Sequence, residues 1–246
     1  LPKAPLQEAI FEIRWELELD PASGQLYDPG FQLAQGKLQD IAKGRFPFFN
    51  RKLPHVLPEQ MLHYQVVNQY WTAKDTWPVI QLGPGIFTVN DTDITYDWAT
   101  SYFPLIKESL SWLFKVYERP PKITAAILRY VDSVKLKDYG FEGRWREFVT
   151  EHFKLSFVNN FDTRGNLKAL QFSQSFELPD KSELHLSMNS GKYRKTDDDA
   201  LIWQTIVAKQ DGFDASSILA WLEGAHTATS SLFKDMTKPH FYDSFK

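Results

Sequence analysis

Cysteine is absent from this chain, which excludes disulfides, thiolate zinc sites and cysteine nucleophiles and fits a cytoplasmic protein. A strong charge of either sign is absent too. Lys and Arg number 28 against 31 Asp and Glu, a formal net charge of −3, so no overall field draws in nucleic acid or anionic membrane. No apolar run approaches the ~20 residues of a membrane-spanning helix. The opening LPKAPLQEA lacks the apolar core of a signal peptide, and it begins on Leu rather than Met, the mark of a trimmed start. The histidines His55, His63, His152, His185, His226 and His240 form no HExxH or HxH spacing. No G-x-S-x-G elbow is present, and Gly83-Pro84-Gly85 lacks the G-x-x-x-x-G-K pattern of a phosphate loop. No cofactor and no metal are expected.

What is present is apolar and aromatic. Hydrophobic residues make up 43% and charged ones 24%, a globular balance, and the 15% aromatic share suits wide sheet surfaces covered by bulky side chains. The organising stretch is Ala9 to Leu19. Ala9, Phe11, Ile13, Trp15, Leu17 and Leu19 point one way, while Glu8, Glu12, Arg14, Glu16 and Glu18 point the other. Such a period marks a strand with one face in a core and one in water. A second copy runs from Ala126 to Leu136, with Leu128, Tyr130, Val134 and Leu136 in matching places.

Between these strands the spacing predicts a helix through Phe31, Ala34, Leu38, Ile41 and Ala42, then an irregular connection over 45–58. Strands are predicted over 61–72, Trp77 to Leu82 and Ile86 to Val89, the last two joined by the Gly83-Pro84-Gly85 turn. A longer helix through Phe103, Ile106, Leu110, Leu113 and Tyr117 ends at Pro120-Pro121. The second half repeats the order. Strand 124–136, a helix through Phe141 to Phe153, strands 169–178, 183–188 and 201–208, and a last helix capped near Asp214 are predicted, with a polar loop over 189–199.

The predicted fold is therefore α+β. Internally duplicated units of strand, helix, three or four strands and helix form one long antiparallel sheet with helices on one face, the architecture of the TATA-binding-protein-like fold. Residues 1–246 read as a single domain, with a first repeat at 1–119 and a second at 120–246.

Several stretches carry a resemblance: Pro5-Leu6, Glu8-Ala9, Glu12-Ile13-Arg14-Trp15, Trp98, Arg129-Tyr130-Val131-Asp132, His226, Leu232-Phe233 and Thr237. In that order, over nearly the whole chain, they resemble a family of sporadically distributed bacterial and archaeal proteins of uncharacterised function. The resemblance implies a patchy distribution and a link to defence or toxin-related gene neighbourhoods. It supplies no catalytic residues, and this chain has Asp132 where the family pattern has Asn.

The residues singled out for binding are Glu12, Arg14, Glu16, Arg129, Tyr130, Asp132 and His226. The acidic row on the first strand faces Arg129, Ser133 and Lys135 on the second if the strands lie side by side, worth ~0.2–1 kcal/mol per pair. That face is either a solvated, charge-knit surface or a recognition surface for a basic segment. Tyr130 and Asp132 fall on the apolar side, where a buried carboxylate needs a partner such as a helix N-terminus or His226. The cluster Lys192 to Lys195 is cancelled by Asp197-Asp198-Asp199 and reads as a hairpin tip. The aromatic end, Pro239 to Phe245, covers a sheet edge of its own chain or docks on a partner. No catalytic residue emerges. A non-enzymatic protein-binding or adaptor module is expected, acting through an open sheet face or edge on another protein or on a second copy. The alternatives are a ligand sensor or enzyme with a pocket between sheet and helices, and nucleic-acid binding, which the acidic row disfavours. No membrane partner is expected.

Overall fold

A computed structural model describes residues 1, 3–54, 56–58, 61–92, 94–165, 167–193, 196–210, 213 and 216–246. The strands are β1 (Leu6–Trp15), β2 (Glu18–Leu19), β3 (Leu26–Tyr27), β4 (Phe48–Arg51), β5 (Asn68–Ala73), β6 (Thr76–Gly83), β7 (Ile86–Asp91), β8 (Ile123–Lys135), β9 (Gln171–Glu177), β10 (Glu183–Lys192) and β11 (Asp199–Gln210). The helices are α1 (Phe31–Ala42), α2 (Phe103–Val116), α3 (Trp145–His152), α4 (Ser217–Met236) and α5 (Pro239–Asp243). The fold is α+β, with one antiparallel sheet of nine strands in the order β4-β5-β6-β7-β1-β8-β11-β10-β9 and a separate β2–β3 pair. No described helix is long and apolar enough to cross a membrane. The chain divides into two compact units, Ala9–Leu128 with Ala208–Leu222, and Leu1–Glu8 with Arg129–Val207 and Glu223–Lys246.

In the 9–128 unit, the period-2 pattern of β1 does what it predicts. Ala9, Phe11, Ile13 and Trp15 are buried, with Phe11 opposite Val89 and Ile13 opposite Phe87 on β7. α1 buries Phe31, Ala34, Leu38 and Ala42, and it packs on α2 and β5. Tyr70 on β5 donates its hydroxyl to the Gln35 carbonyl at 2.9 Å, fixing that packing. α2 follows a π-helical turn, Trp98–Tyr102, whose N-cap Asp97 accepts from the Thr100 amide at 2.8 Å. The Thr100 hydroxyl, and then its amide, hold the Asp97 carboxyl below its ordinary range. Pro104 is tolerated because the first turn of a helix has no partner for its N–H groups.

Three local expectations change here. Leu19 is 62% exposed, because the Asp20–Gly24 turn folds Glu18–Leu19 back onto Leu26–Tyr27, closed by Asp20 N to Gln25 O at 2.8 Å. The connection over 45–58 contains β4, which pairs with β5. Residues 61–67 are not strand. Tyr64 adopts a positive φ of 56°, its amide bonds to the Pro84 carbonyl at 2.8 Å, and the chain crosses the Gly83–Gly85 turn before β5 starts. A Cβ on Gly83 would lie 1.8 Å from the Gln65 carbonyl oxygen, so only glycine admits that crossing.

In the 129–207 unit, Tyr130, Asp132 and Val134 of β8 lie on the buried side, as the alternation predicts. The core gathers Leu136, Phe148, Phe153, Met188, Trp203 and Met236, large side chains each worth roughly 1.5–3 kcal/mol on burial. α3 is shorter than expected; Phe141 precedes it and packs edge-on against Phe148. β10 runs on to Lys192, which shortens the expected 189–199 loop. Phe241 and Phe245 enter the core of their own chain, so the aromatic end serves this unit rather than a partner. The expected cap Asp214, together with His55, Asn166, Arg194 and Lys195, lies outside the described residues.

Candidate functional site

The residues singled out from the sequence fall into three groups. Glu12 and Arg14 share the face of β1 away from the core and pair with each other at 2.7 Å within the strand. Glu16, just beyond β1, pairs with Lys122 at 2.6 Å. Lys135 pairs with Asp198 at 3.6 Å. Glu12 and Glu16 are thus each met by a neighbour, two residues along the strand or at a strand end.

Tyr130 and His226 do come together. Tyr130 Oη and His226 Nδ1 lie 2.9 Å apart, a hydrogen bond whose donor depends on the imidazole tautomer. Burial lowers His226 to about 4, so the ring is neutral at physiological pH. Asp132, two residues along the same face of β8, is pushed up to about 7 by burial alone. Tyr130 and the neutral His226 imidazole thus form a packed polar pair, with the Asp132 carboxyl two residues from Tyr130 on the same strand face. Arg129 lies on the opposite face, half-buried, and its Nε has no hydrogen-bond partner among the described residues.

On the Arg129 side of β8, a hollow of about 200 Å³ is lined by Gln7, Val131, Ser133, Lys192, Tyr193, Ala200 and Ile202. Its rim is charged but balanced. Asp198 pairs with Lys137 at 2.8 Å, and Lys192 pairs with Asp199 at 3.1 Å. The Lys137 ammonium and the Thr196 hydroxyl hold the Asp198 carboxyl below its ordinary range. Lys135 stands over the Tyr193 ring at 4.8 Å. Of the basic cluster expected at a hairpin tip, Lys192 is met by the aspartates that follow, while Arg194 and Lys195 lie outside the described residues. Among the described residues, no group of three or more metal-ligating side chains converges.

The two outer strands of the sheet contrast sharply. β4 has four residues, follows Pro47 and ends in Arg51, devices that discourage pairing of an edge with another chain. β9 has seven residues, six of them exposed, and reads QFSQSFE without proline, lysine or arginine. Its register with β10 is continuous from Glu177 opposite Glu183 to Gln171 opposite Asn189, with no bulge. The chain leading into it leaves Val158, Phe161 and Leu167 exposed, and Phe176 on the strand is 44% exposed.

Comparison with protein-family models, curated proteins and solved structures gives no match. Function therefore rests on the geometry of this chain.

Two features escape sequence reasoning. β9 is recognisable as a strand, but its place at the sheet edge depends on the pairing of β10 and β11 and leaves no local trace. Asp28, in Asp28-Pro29-Gly30, has the signature of a surface turn, yet it is buried and its carboxylate accepts four hydrogen bonds.

Proposed function

We propose that the protein is a non-enzymatic protein-binding or adaptor module whose recognition element is the free edge of β9. The carrying observation is that this outer strand is seven residues long and carries no proline, lysine, arginine or bulge among its described residues. An outer strand presents a row of unpaired N–H and C=O groups, and an extended polypeptide can add itself there as a further strand. Main-chain hydrogen bonds supply affinity, and the side chains at Phe172, Gln174 and Phe176 supply selectivity. The cysteine-free composition fits a cytoplasmic setting, and the family resemblance points to defence or toxin-related systems.

The scaffold reads as a duplication. The first half places its opening strand beside its last, in the order β4-β5-β6-β7-β1, and the second half mirrors this as β8-β11-β10-β9. Strand, helix, strands and helix recur in each. That supports the TATA-binding-protein-like reading.

The test uses a fluorescent, strand-forming Val/Thr peptide and the whole protein. Saturable binding is expected, and Ser175→Pro, which removes an outward N–H from β9, is expected to abolish it. Binding unchanged by that substitution in a folded variant would overturn the reading. A pocket built on Tyr130, Asp132 and His226 is the second reading, favoured by the carboxyl held near 7. A small molecule whose affinity falls tenfold or more in Asp132→Asn would move the assignment there.

A further inference from the structure

The sequence around β9 is a palindrome. Leu170-Gln171-Phe172-Ser173-Gln174-Ser175-Phe176-Glu177-Leu178 reads alike from both ends about Gln174, and the only mismatch is Gln171 against Glu177. Two antiparallel strands related by a twofold axis place each residue opposite its mirror position. An axis through Gln174 therefore sets Phe172 against Phe176, Ser173 against Ser175 and Leu170 against Leu178 of the second strand. From this self-complementarity we infer that the occupant of the β9 edge is a second copy of this chain, joined β9 to β9. The inference rests on β9 being a recognition edge and names what it recognises.

The backbone obeys the same axis. The Ser190 amide donates to the Leu170 carbonyl at 2.8 Å, and the Leu178 amide donates to the Ser182 carbonyl at 2.8 Å. Even-numbered residues of β9 thus turn their N–H and C=O groups toward β10, and by alternation Gln171, Ser173, Ser175 and Glu177 turn theirs outward. A ladder centred on Gln174 uses those four outward residues in mirror pairs, Ser173 with Ser175 and Gln171 with Glu177. An axis passing between two residues would set outward-turned groups against inward-turned ones, so the hydrogen-bond phase requires an axis through a residue, as the palindrome has it. The hydrogen-bond phase is compatible with an axis through Gln174, and the sequence symmetry selects that residue among the axes the phase allows.

The side chains agree. Gln174 and the two phenylalanines fall at non-hydrogen-bonded positions, where facing side chains approach most closely. Phe172, Gln174 and Phe176 lie on the side of Met188, Leu186 and Leu184, their buried partners on β10. Phe172 already packs edge-on against Phe157 at 5.2 Å, while Phe176 is left half-exposed. Pairing covers Phe176 with Phe172 of the second copy. Glu177, the one charged residue of the strand, faces an amide at Gln171 rather than another carboxylate, so no like charges meet.

The absence of cysteine makes the register directly testable, because a single introduced thiol can react only with its own copy. Under mild oxidation Gln174→Cys is expected to form a disulfide dimer quickly and nearly completely. Ser173→Cys, whose thiol faces position 175, is expected to crosslink at least tenfold more slowly. Sedimentation of the unmodified protein should show a dimer, and Gln174→Lys, which sets two ammonium groups across the axis, should give a folded monomer. A protein that sediments as a monomer at 100 μM, or that crosslinks equally at both positions, overturns the inference. If that monomer still binds the strand-forming peptide and loses it in Ser175→Pro, the edge reading stands and only the second copy is wrong. If neither pairing occurs, both fail.

Discussion

The Trp15 indole Nε1 donates to Asp28 Oδ2 at 3.0 Å, joining the end of β1 to the turn that opens α1. The same oxygen accepts the Gly85 amide at 3.0 Å and the Tyr117 hydroxyl at 2.9 Å, and the other carboxylate oxygen accepts the Gly30 amide at 3.0 Å. One buried carboxylate thus ties β1, the β6–β7 turn, α1 and the end of α2 within the 9–128 unit.

Removing it strands several buried donors at once. Asp28→Ala is expected to cost about 3–5 kcal/mol in urea unfolding, because each unsatisfied buried donor carries its own desolvation penalty. Asp28→Asn should cost less, since its amide oxygen still accepts. Trp15→Phe, which removes one donor of the four, should be milder than Asp28→Ala.

Asp132 gives a pH signature of its own. In the fold its proton leaves at about 7 and in the unfolded chain near 3.8, so the folded state holds the proton more tightly. The stability tied to that proton is fully present below pH 3.8 and is lost as pH rises through 7. Asp132→Asn lacks this loss. The variant should gain on the wild type by on the order of 2–4 kcal/mol between pH 4 and pH 8, read from denaturant midpoints.

His152 works in the opposite sense. Burial, then the nearby His240, lowers it to about 4 from an ordinary 6.5, within a nest of Tyr139, Phe148 and Phe241. Its contribution is present above pH 6.5 and is lost as pH falls through 4, because the unfolded chain takes the proton first. His152→Phe should remove on the order of 1–3 kcal/mol of the acid destabilisation between pH 7 and pH 4, visible as a flatter Tm against pH.

Two glycines predict opposite outcomes. Gly83→Ala drives a Cβ into the Gln65 backbone and should destabilise by about 2–4 kcal/mol, because backbone cannot swing aside as a side chain would. Gly36→Ala meets nothing within 4 Å inside α1 and should stabilise by about 0.5–1 kcal/mol. Thermal unfolding of both variants checks the pair.

What the sequence shows of this fold is what local periodicity can carry. β1, β8, α1 and α2 sit where alternation or helical spacing places them, because each buries one face along its whole length. β4 is hidden by Pro47 and by two successive phenylalanines that break alternation. The stretch 61–67 imitates a strand in Leu62 and Tyr64, but the close approach at Gly83 overrides that pattern. Alternation puts Tyr130 and Asp132 on one face, while the bond from Tyr130 to His226 spans 96 residues and follows only from packing. The palindrome of β9 lies in plain view, yet it acquires meaning only once the strand is known to be outermost.

β7 is the opposite of β9: it lies between β6 and β1, and none of its six residues is exposed. Its amide protons can reach solvent deuterium only when the 9–128 unit opens as a whole, so their exchange reports the free energy of that opening. The outward amides of Gln171, Ser173, Ser175 and Glu177 exchange on a lone chain at nearly the rate of an open peptide. One deuteration time course therefore reads the depth of the core at β7 and the occupancy of the edge at β9 in the same sample.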